Sequence, residues 1–517
     1  MKNIYTISGL MLATLAANAQ ESAQPNIILF LVDDMGWQDT SVPFYNDQQS
    51  PLNRRFHTPN MERLAQLGVR FTEAYACAIS SPTRCSLMSG MNAARHRVTN
   101  WTLELNQQTD AASKTIKLPD WNYNGIQPDT ARLINNATPI TALPQILKEN
   151  GYYTIHCGKA HFGARHTPGA NPLSMGFDLN IGGGPNGAPG SYLGTKNFGE
   201  GTRFAVEGLE KYYGQDIFLT EALTREAIAA LEHAEKIGKP FYLYMSHYAV
   251  HAPYDDDKRF SNSYRGRYDI QLNDTLNERE ARYAALVEGM DKSLGDLLDY
   301  LEAHPETGQN TILLFMSDNG GQAVQGTRQG QANRDQNYPA RAGKGSAFMG
   351  GVHEPMMVYW PGITQGGTVN DQRVMIEDFF PTILNMAGIE EYTTTQTLDG
   401  ISFADVIKNA DLRYERPIIW HFPNLWGETQ NTEEGYGAYS SILQNDYHLI
   451  YTWEEQRHRL YNIREDIGEK VDLSDRMPEK VKELSRLLTE YLKERNAQRP
   501  VYRSSGKPIP YPDGSEK

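Results

Sequence analysis

Pro25-Asn26-Ile27-Ile28-Leu29-Phe30-Leu31-Val32-Asp33-Asp34 is a near-continuous apolar run stopped by two adjacent carboxylates. A run without polar alternation suits a strand buried on both faces, the condition of a parallel sheet covered by helices. Two neighbouring carboxylates repel each other. At a strand end they are stable if they are solvated, or if a hard cation sits between them.

The pattern repeats along the chain. Val69–Ala76, Tyr152–His156, Phe241–Met245 and Thr311–Met316 each read as short strands, and helices are expected between them. Thr58 is placed to cap a helix that starts at Pro59, carries Met61, Leu64 and Leu67 on one stripe, and closes at Gly68. Thr141–Asn150 and Ile217–Lys236 read as further helices. The strongest is Glu280–Glu302, with Leu286, Met290, Leu294, Leu297 and Leu301 in line. Strands alternating with helices predict an α/β fold. The character changes near Val374: a helix is expected over Ile376–Ala387, short strands over Pro417–Trp420 and His448–Tyr451, and a charged helix over Pro478–Ala497 with Leu484, Leu487, Leu488 and Leu492. A chain of 517 residues can bury a large core and form two domains.

Lys+Arg 49 against Asp+Glu 63 gives a net charge of -14, which excludes a nucleic-acid binder with a basic face. An anionic substrate would need a local cationic pocket against that field. Met1–Ala19 reads as a secretory signal: Lys2 is the charged start, Ile7–Ala17 the apolar run, and Ala17-Asn18-Ala19 the cleavage site. The run is too short to span a bilayer, so export without a membrane anchor is expected. Three cysteines, Cys77, Cys85 and Cys157, are not a disulfide framework, and Cys85 reads as a small buried residue.

The strand ends carry the chemistry. After the second strand comes Ala78-Ile79-Ser80-Ser81-Pro82-Thr83-Arg84-Cys85-Ser86-Leu87-Met88-Ser89-Gly90. After the others come Gly158-Lys159-Ala160-His161-Phe162-Gly163, Ser246-His247-Tyr248-Ala249-Val250-His251-Ala252-Pro253 and Ser317-Asp318-Asn319-Gly320-Gly321, with Lys344-Gly345 farther on. Each has a plainer reading alone: a surface Lys/His pair, a packed His247, an Asp-Asn-Gly turn. Ligands of open α/β sheets, however, bind at the carboxyl ends of the strands. Asp33, Asp34, Asp318 and Asn319 form an oxygen-rich set suited to Ca²⁺ or Mg²⁺, whereas zinc prefers His and Cys. A divalent ion beside Arg84, Lys159, Lys344, His161 and His251 fits transfer of an anionic tetrahedral group. The cations neutralise its oxygens and one His protonates the leaving alcohol.

In order, these motifs resemble those of the formylglycine-dependent sulfatases of the alkaline-phosphatase-like superfamily. Ser80-x-Pro82-x-Arg84 with Ser89-Gly90 matches the family's Cys/Ser-x-Pro-x-Arg and downstream Thr-Gly, with Thr83 where Ser is commoner and Ser89 in place of Thr. Gly-Lys159-x-His161-x-Gly, His251-x-Pro253, Ser-Asp318-Asn319-Gly and Lys344 match four further elements. His353 stands where Arg is common and is given no role. The resemblance covers nearly the whole mature chain. It implies a large mixed, mostly parallel sheet flanked by helices over 20–373, and a smaller C-terminal α+β subdomain over 374–517.

The resemblance also implies roles. Ser80 is oxidised to formylglycine, whose hydrate attacks sulfur. Calcium, in preference to magnesium, is held by Asp33, Asp34, Asp318 and Asn319 with the Ser80 group. Arg84, Lys159, His161, His251 and Lys344 are catalytic, with Asp318 helping to deprotonate the nucleophile. Lys159, His251, Lys344 and His247 contact the substrate. A serine at the modified position implies maturation by a radical-type sulfatase-modifying enzyme and, with the signal, a bacterial periplasm. The expected substrate is a sulfate ester at the end of a glycosaminoglycan or mucin glycan, attacked in exo fashion. Two other readings remain at this point: a phosphatase or phosphodiesterase of the same superfamily using Ser80 directly, and a degenerate sulfatase that only binds sulfated glycans.

Overall fold

Asn26–Val32 (β1) is buried at all seven positions, as its unbroken apolar run requires. Full burial of side chains such as Ile28, Leu29 and Phe30 contributes about 1.5–3 kcal/mol each. The computed structural model describes residues 24–323, 336–429 and 431–516; the expected export signal lies outside them. Among the described residues no helix is long and apolar enough to cross a membrane.

Pro59–Leu67 (α1) leads into Val69–Tyr75 (β2) and Ser80–Ser89 (α2). Leu143–Glu149 (α3), Tyr153–Gly158 (β3) and Leu179–Ile181 (β4) follow, then Leu219–Lys236 (α4), Phe241–Ser246 (β5), Glu278–Ala303 (α5) and Thr311–Ser317 (β6). His353–Tyr359 (β7), Thr368–Asn370 (β8) and Val374–Met375 (β9) complete a nine-stranded sheet of order β8-β2-β7-β6-β1-β5-β3-β4, with β9 also on β2. Every pairing is parallel except the two made by β7. The expected mixed, mostly parallel sheet is therefore present, with helices on its faces.

A cap expected from Thr58 is supplied from elsewhere. Thr58 Oγ1 instead accepts from Ser41 N (2.9 Å) and pairs with Thr40 Oγ1 (2.9 Å), because its backbone leaves it facing that loop. The free N–H groups of α1 go to Asp291 of α5: Met61 N at 2.7 Å and Asn60 N at 3.1 Å. The buried α5 carboxylate thus joins two helices that sequence spacing alone cannot relate.

The chain ends on an antiparallel sheet of Ile418–Phe422 (β10), Tyr439–Gln444 (β11), Tyr447–Thr452 (β12) and Arg457–Asn462 (β13). Leu484, Leu488 and Leu492 of Pro478–Glu494 (α7) pack on one of its faces against Ile442, Leu449 and Leu460. β9 still pairs with β2, so the central sheet reaches two residues past the division expected at 374. The helix expected over Ile376–Ala387 begins as a 3-10 turn and becomes α-helical at Phe379–Met386 (α6).

Candidate functional site

Strand register lines up the reactive loops. Val32 of β1 is level with Ser317 of β6, Leu31 with Ser246 of β5, and Gly158 of β3 with the same Ser246. The next residues leave four adjacent strands at one rim: Asp33-Asp34, Asp318-Asn319, Lys159 and, after a short excursion, His251. Backbone bonds carry the ladder one step further, from Asp318 N to Val32 O (2.9 Å) and from Lys159 N to Ser246 O (2.7 Å). β2 delivers Ser80 to the same rim as the first residue of α2, a helix buried along its whole length. Its start three residues before Thr83 leaves Ser80 among free N–H groups and the positive end of the dipole.

The side chains converge. Lys159 Nζ lies 2.8 Å from both Asp33 carboxylate oxygens and 3.0 Å from Ser80 Oγ. Ser80 Oγ is also 3.0 Å from Asn319 Oδ1 and 3.3 Å from Asp33 Oδ1. Asn319 Nδ2 donates to Asp34 Oδ1 at 2.8 Å, which also accepts from Lys344 Nζ at 2.6 Å. Arg84 is clamped on Asp318 through Nε (2.9 Å) and a terminal nitrogen (2.8 Å); its other terminal nitrogen donates to Ser246 Oγ (2.5 Å) and the Lys159 carbonyl (3.0 Å). His251 Nε2 stands 3.6 Å from Asp34 Oδ2, with Nδ1 bonded to Ala252 O at 2.6 Å. His161 gives Nε2–H to Thr102 O at 2.8 Å, and among the described residues its buried Nδ1 has no hydrogen-bond partner.

Asp33, Asp34 and Asp318 each present an oxygen within 4.8 Å of the others. Burial pushes the Asp33 carboxyl up to about 8 against the pull of Lys159, with Asp318 and Asp34 adding to the rise. Burial likewise pushes the Lys159 ammonium down to about 8 against Asp33. Asp34 is held below its ordinary value because Lys344 and His251 outweigh its burial. Arg84, Lys159 and Lys344 overcome the burial of Asp318 and lower it. Three carboxylates thus face three cations, Asp33 with Lys159, Asp34 with Lys344, Asp318 with Arg84, and the cluster is balanced as it stands. These crowded oxygens, with Asn319 Oδ1 and Ser80 Oγ, fit a hard divalent cation, which would offset the burial and, to a lesser degree, the carboxylate repulsion that raise Asp33. Such an ion would leave the pocket positive, ready for an anionic ester.

One expected contact is absent. His247 is fully buried, packs on Phe30 (ring centroids 5.1 Å) and pairs with Ser293 of α5 at 2.8 Å. The residue after β5 points to the helix-covered face of the sheet, so His247 packs the core and does not meet a ligand. His353 also packs, stacked on Trp37 at 3.9 Å and bonded to Thr72 O at 2.6 Å.

Sequence reasoning did not single out the supports. Ser246 and Tyr244 hold Arg84, Thr102 orients His161, and Asn337 ties Gly321 N (2.8 Å) to Ala342 O (3.0 Å) ahead of Lys344. Thr102 lies in the irregular stretch after Asn92, where no periodicity marks it.

Residues 25–389 match the family model described as sulfatase, and residues 345–498 the one described as N-sulphoglucosamine sulphohydrolase, C-terminal. A protein of Formosa agariphila named sulfatase is 27% identical, over 98% of this chain and 96% of its own. The human N-acetylgalactosamine-6-sulfatase is 30% identical over 77% of this chain and 68% of its own. Among solved structures, Ps i-CgsB in complex with k-i-k-neocarrahexaose superposes with a TM-score of 0.66 at 26% identity, covering 91% of this chain and 93% of that one.

Proposed function

This chain is a member of the sulfatase family of sulfuric ester hydrolases, with their alkaline-phosphatase-like fold, and we propose that it removes sulfate from a carbohydrate through Ser80 matured to formylglycine. The observation that carries this reading is the position of Ser80 Oγ, 3.0 Å from Lys159 Nζ and 3.0 Å from Asn319 Oδ1, inside a cluster of three carboxylates and three cations. A phosphatase would use Ser80 unchanged. The ordered matches through Lys344 favour the sulfatase, and the retention of every matched position argues against a binder without turnover.

Maturation removes two hydrogens from the Ser80 side chain, turning its CH2–OH into an aldehyde. Ser80 is 2% exposed, so a radical-type modifying enzyme would meet it before the chain folds. The hydrated aldehyde supplies two hydroxyls, one to attack sulfur and one whose deprotonation expels sulfate. A plain serine sulfate ester lacks that internal exit. Calcium, held by Asp33, Asp34, Asp318 and Asn319, would supply charge to the sulfate oxygens.

The chain's own groups then have assignable work. Lys159 and Lys344 bind sulfate oxygens as charge builds on them, and Arg84 fixes Asp318 through Oδ2 so that Oδ1, which accepts from Asp34 N at 3.2 Å, can also take the nucleophile's proton. His251 serves as the acid toward the departing sugar oxygen through Nε2, because Nδ1–H is held by Ala252 O. Burial pushes His251 down to about 4, with Asp34 opposing, so its proton depends on an anion beside it. The sulfate group provides that anion. His161, with Nε2–H fixed on Thr102 O, offers Nδ1 as the base for the second step.

Relatives named N-acetylgalactosamine-6-sulfatase and a neighbour in complex with k-i-k-neocarrahexaose support a sulfated glycan as substrate. The export signal read from Met1–Ala19 supports a periplasmic site of action. Mass spectrometry of the Ser80 peptide from mature protein tests the reading directly. A species two hydrogens lighter than serine is expected, and unmodified serine in active enzyme favours the phosphatase. A panel of defined sulfated mono- and disaccharides then identifies the sugar, with Ser80→Ala expected to release no sulfate.

A further inference from the structure

A cleft of about 860 Å³, within the range of small-ligand pockets, lies beside the cluster and shares His251 with it. His251 lines the cleft and stands 3.6 Å from Asp34, so a group in the cleft beside His251 adjoins the group held by the cluster. Phe204 lines one part, with Gly190 nearby; Tyr254 and the first turns of α5 line another, through Arg279 and Arg282. The Arg279 guanidinium lies 4.7 Å over the Tyr254 ring and stiffens it. Partly buried aromatic rings give apolar faces of the kind the C–H side of a sugar ring packs against.

Arg282 is the distinctive group. Its Nε donates to Glu278 at 2.8 Å, and Glu278 is shared with Arg265, whose Nε is 2.9 Å away. Arg265 is itself held by Asp256 at 2.7 Å. An arginine has five N–H donors in a planar fork. Among the described residues, the two terminal nitrogens of Arg282 make no hydrogen bond, and the side chain is 37% exposed. A guanidinium held by one edge, with its other edge open to a cleft, is set to bind a planar or tetrahedral anion in bidentate fashion. The chain as a whole carries a net charge of -14, so this cationic edge is local.

On the premise that the cluster hydrolyses sulfated saccharides, we infer that this cleft receives the saccharide unit joined to the sulfated one. Arg282 pairs there with an anionic group on that unit, a carboxylate or a second sulfate ester. Glu278 and Arg265 act as positioning residues that hold Arg282 in place. The enzyme is thereby selective for polyanionic chains over singly sulfated sugars.

The test combines binding with turnover, using full-length mature enzyme and Arg282→Gln. Calorimetry is done with three unsulfated or singly substituted probes: a neutral disaccharide, a uronate-containing disaccharide, and one whose only sulfate is on the adjoining unit. Loss of a half-exposed bidentate pair is expected to weaken an anionic probe about tenfold, which is ~1.4 kcal/mol. The neutral probe should change less than twofold. The larger of the two anionic losses tells carboxylate from sulfate. In turnover, KM for the anionic disaccharide should rise about tenfold at unchanged kcat, while the sulfated monosaccharide, which does not reach Arg282, shifts less than twofold. Equal affinity of wild type and Arg282→Gln for all probes, or an equal KM change on the monosaccharide, overturns the inference. Wild-type enzyme that frees no sulfate from any sugar refutes the sulfatase reading alone, since the binding arm still reports on Arg282.

Discussion

Lys344 Nζ lies 2.6 Å from Asp34 Oδ1, and this contact joins the rim of β1 to a loop fastened by the C-terminal sheet. Ser346 Oγ donates to Glu434 O (2.7 Å), Ala347 N to Gly435 O (2.9 Å), and the Tyr439 hydroxyl to Ser346 O (3.2 Å). At Gly345 φ is +85°, and an added Cβ would lie 2.5 Å from the Trp426 ring, so only glycine lets the loop pass. The C-terminal sheet and the loop before it therefore hold Lys344 in the site from outside. Lys344→Ala should lower kcat/KM by about 10²–10³, the usual effect of losing one preorganised electrostatic contact. The melting temperature should fall as well, because Lys344 is buried and its loss leaves the buried Asp34 carboxylate without that partner, so turnover is compared at a temperature where both proteins are folded. Steady-state kinetics beside a thermal melt would contradict the assignment if turnover stayed within threefold of wild type.

Arg84 is a different case, buried with no exposed atom and bound at both ends of its fork. A lysine there could satisfy Asp318 or Ser246, but not both together with the Lys159 carbonyl. Arg84→Lys should cost about 1–3 kcal/mol of stability, the range for leaving a buried hydrogen-bonding group unsatisfied, since the charge facing Asp318 is kept. It should also abolish turnover, since Asp318 loses its orientation. Urea unfolding would show a lower midpoint at an unchanged slope. A midpoint equal to wild type would mean that Asp318 does not need the fork.

Much of this was legible beforehand. Unbroken apolar runs such as Ile27–Val32 can be buried only in a two-sided sheet, and their ends had to carry whatever chemistry the chain has. Asp33, Lys159, His251 and Asp318 were placed by that logic and do share one rim. Partners supplied across long sequence distance were not legible. Asp291 caps α1 from 230 residues away, and Thr102 orients His161 from an unpatterned loop. His247 was misread because one residue of register decides whether a side chain after β5 faces the pocket or α5. β13 carries no strand signal because Arg457-His458-Arg459 opens it with three polar residues and only Leu460 and Tyr461 are apolar.

A divalent cation in the Asp33–Asp34–Asp318 cluster should bind the folded chain and not the unfolded one. At about a hundredfold excess over its Kd, calcium would then add ~2.7 kcal/mol of stability. Differential scanning calorimetry of chelated protein, with calcium added back, should show the melting temperature rising by several degrees. Magnesium should give less, because near-octahedral demands suit this crowded cluster poorly. The rise should vanish in Asp34→Asn. A melting temperature indifferent to calcium in wild type would remove the ion from the site.

His96 offers a test of pH dependence away from the cluster. It is fully buried beside α2, where Nδ1 accepts from Val98 N (3.0 Å) and Nε2 pairs with Ser86 Oγ (3.0 Å). Nδ1 must therefore stay unprotonated, and burial pushes the ring down to about 3, against an ordinary 6.5. Because the folded value is depressed, the unfolded chain binds the extra proton between these two values. Stability from this group is complete above pH 6.5 and falls as the pH drops toward 3, by up to about 1.4 kcal/mol per unit. His156, His247 and His421 are pushed to about 3 by burial as well, so wild type should lose stability steeply below pH 6.5. Glutamine can accept from Val98 N and donate to Ser86 without titrating. His96→Gln should thus lose less stability between pH 6.5 and 5, by about 2 kcal/mol, whatever its stability at pH 7. Urea melts at the two pH values measure the difference, and parallel losses in the two proteins would show that His96 is already protonated in the fold.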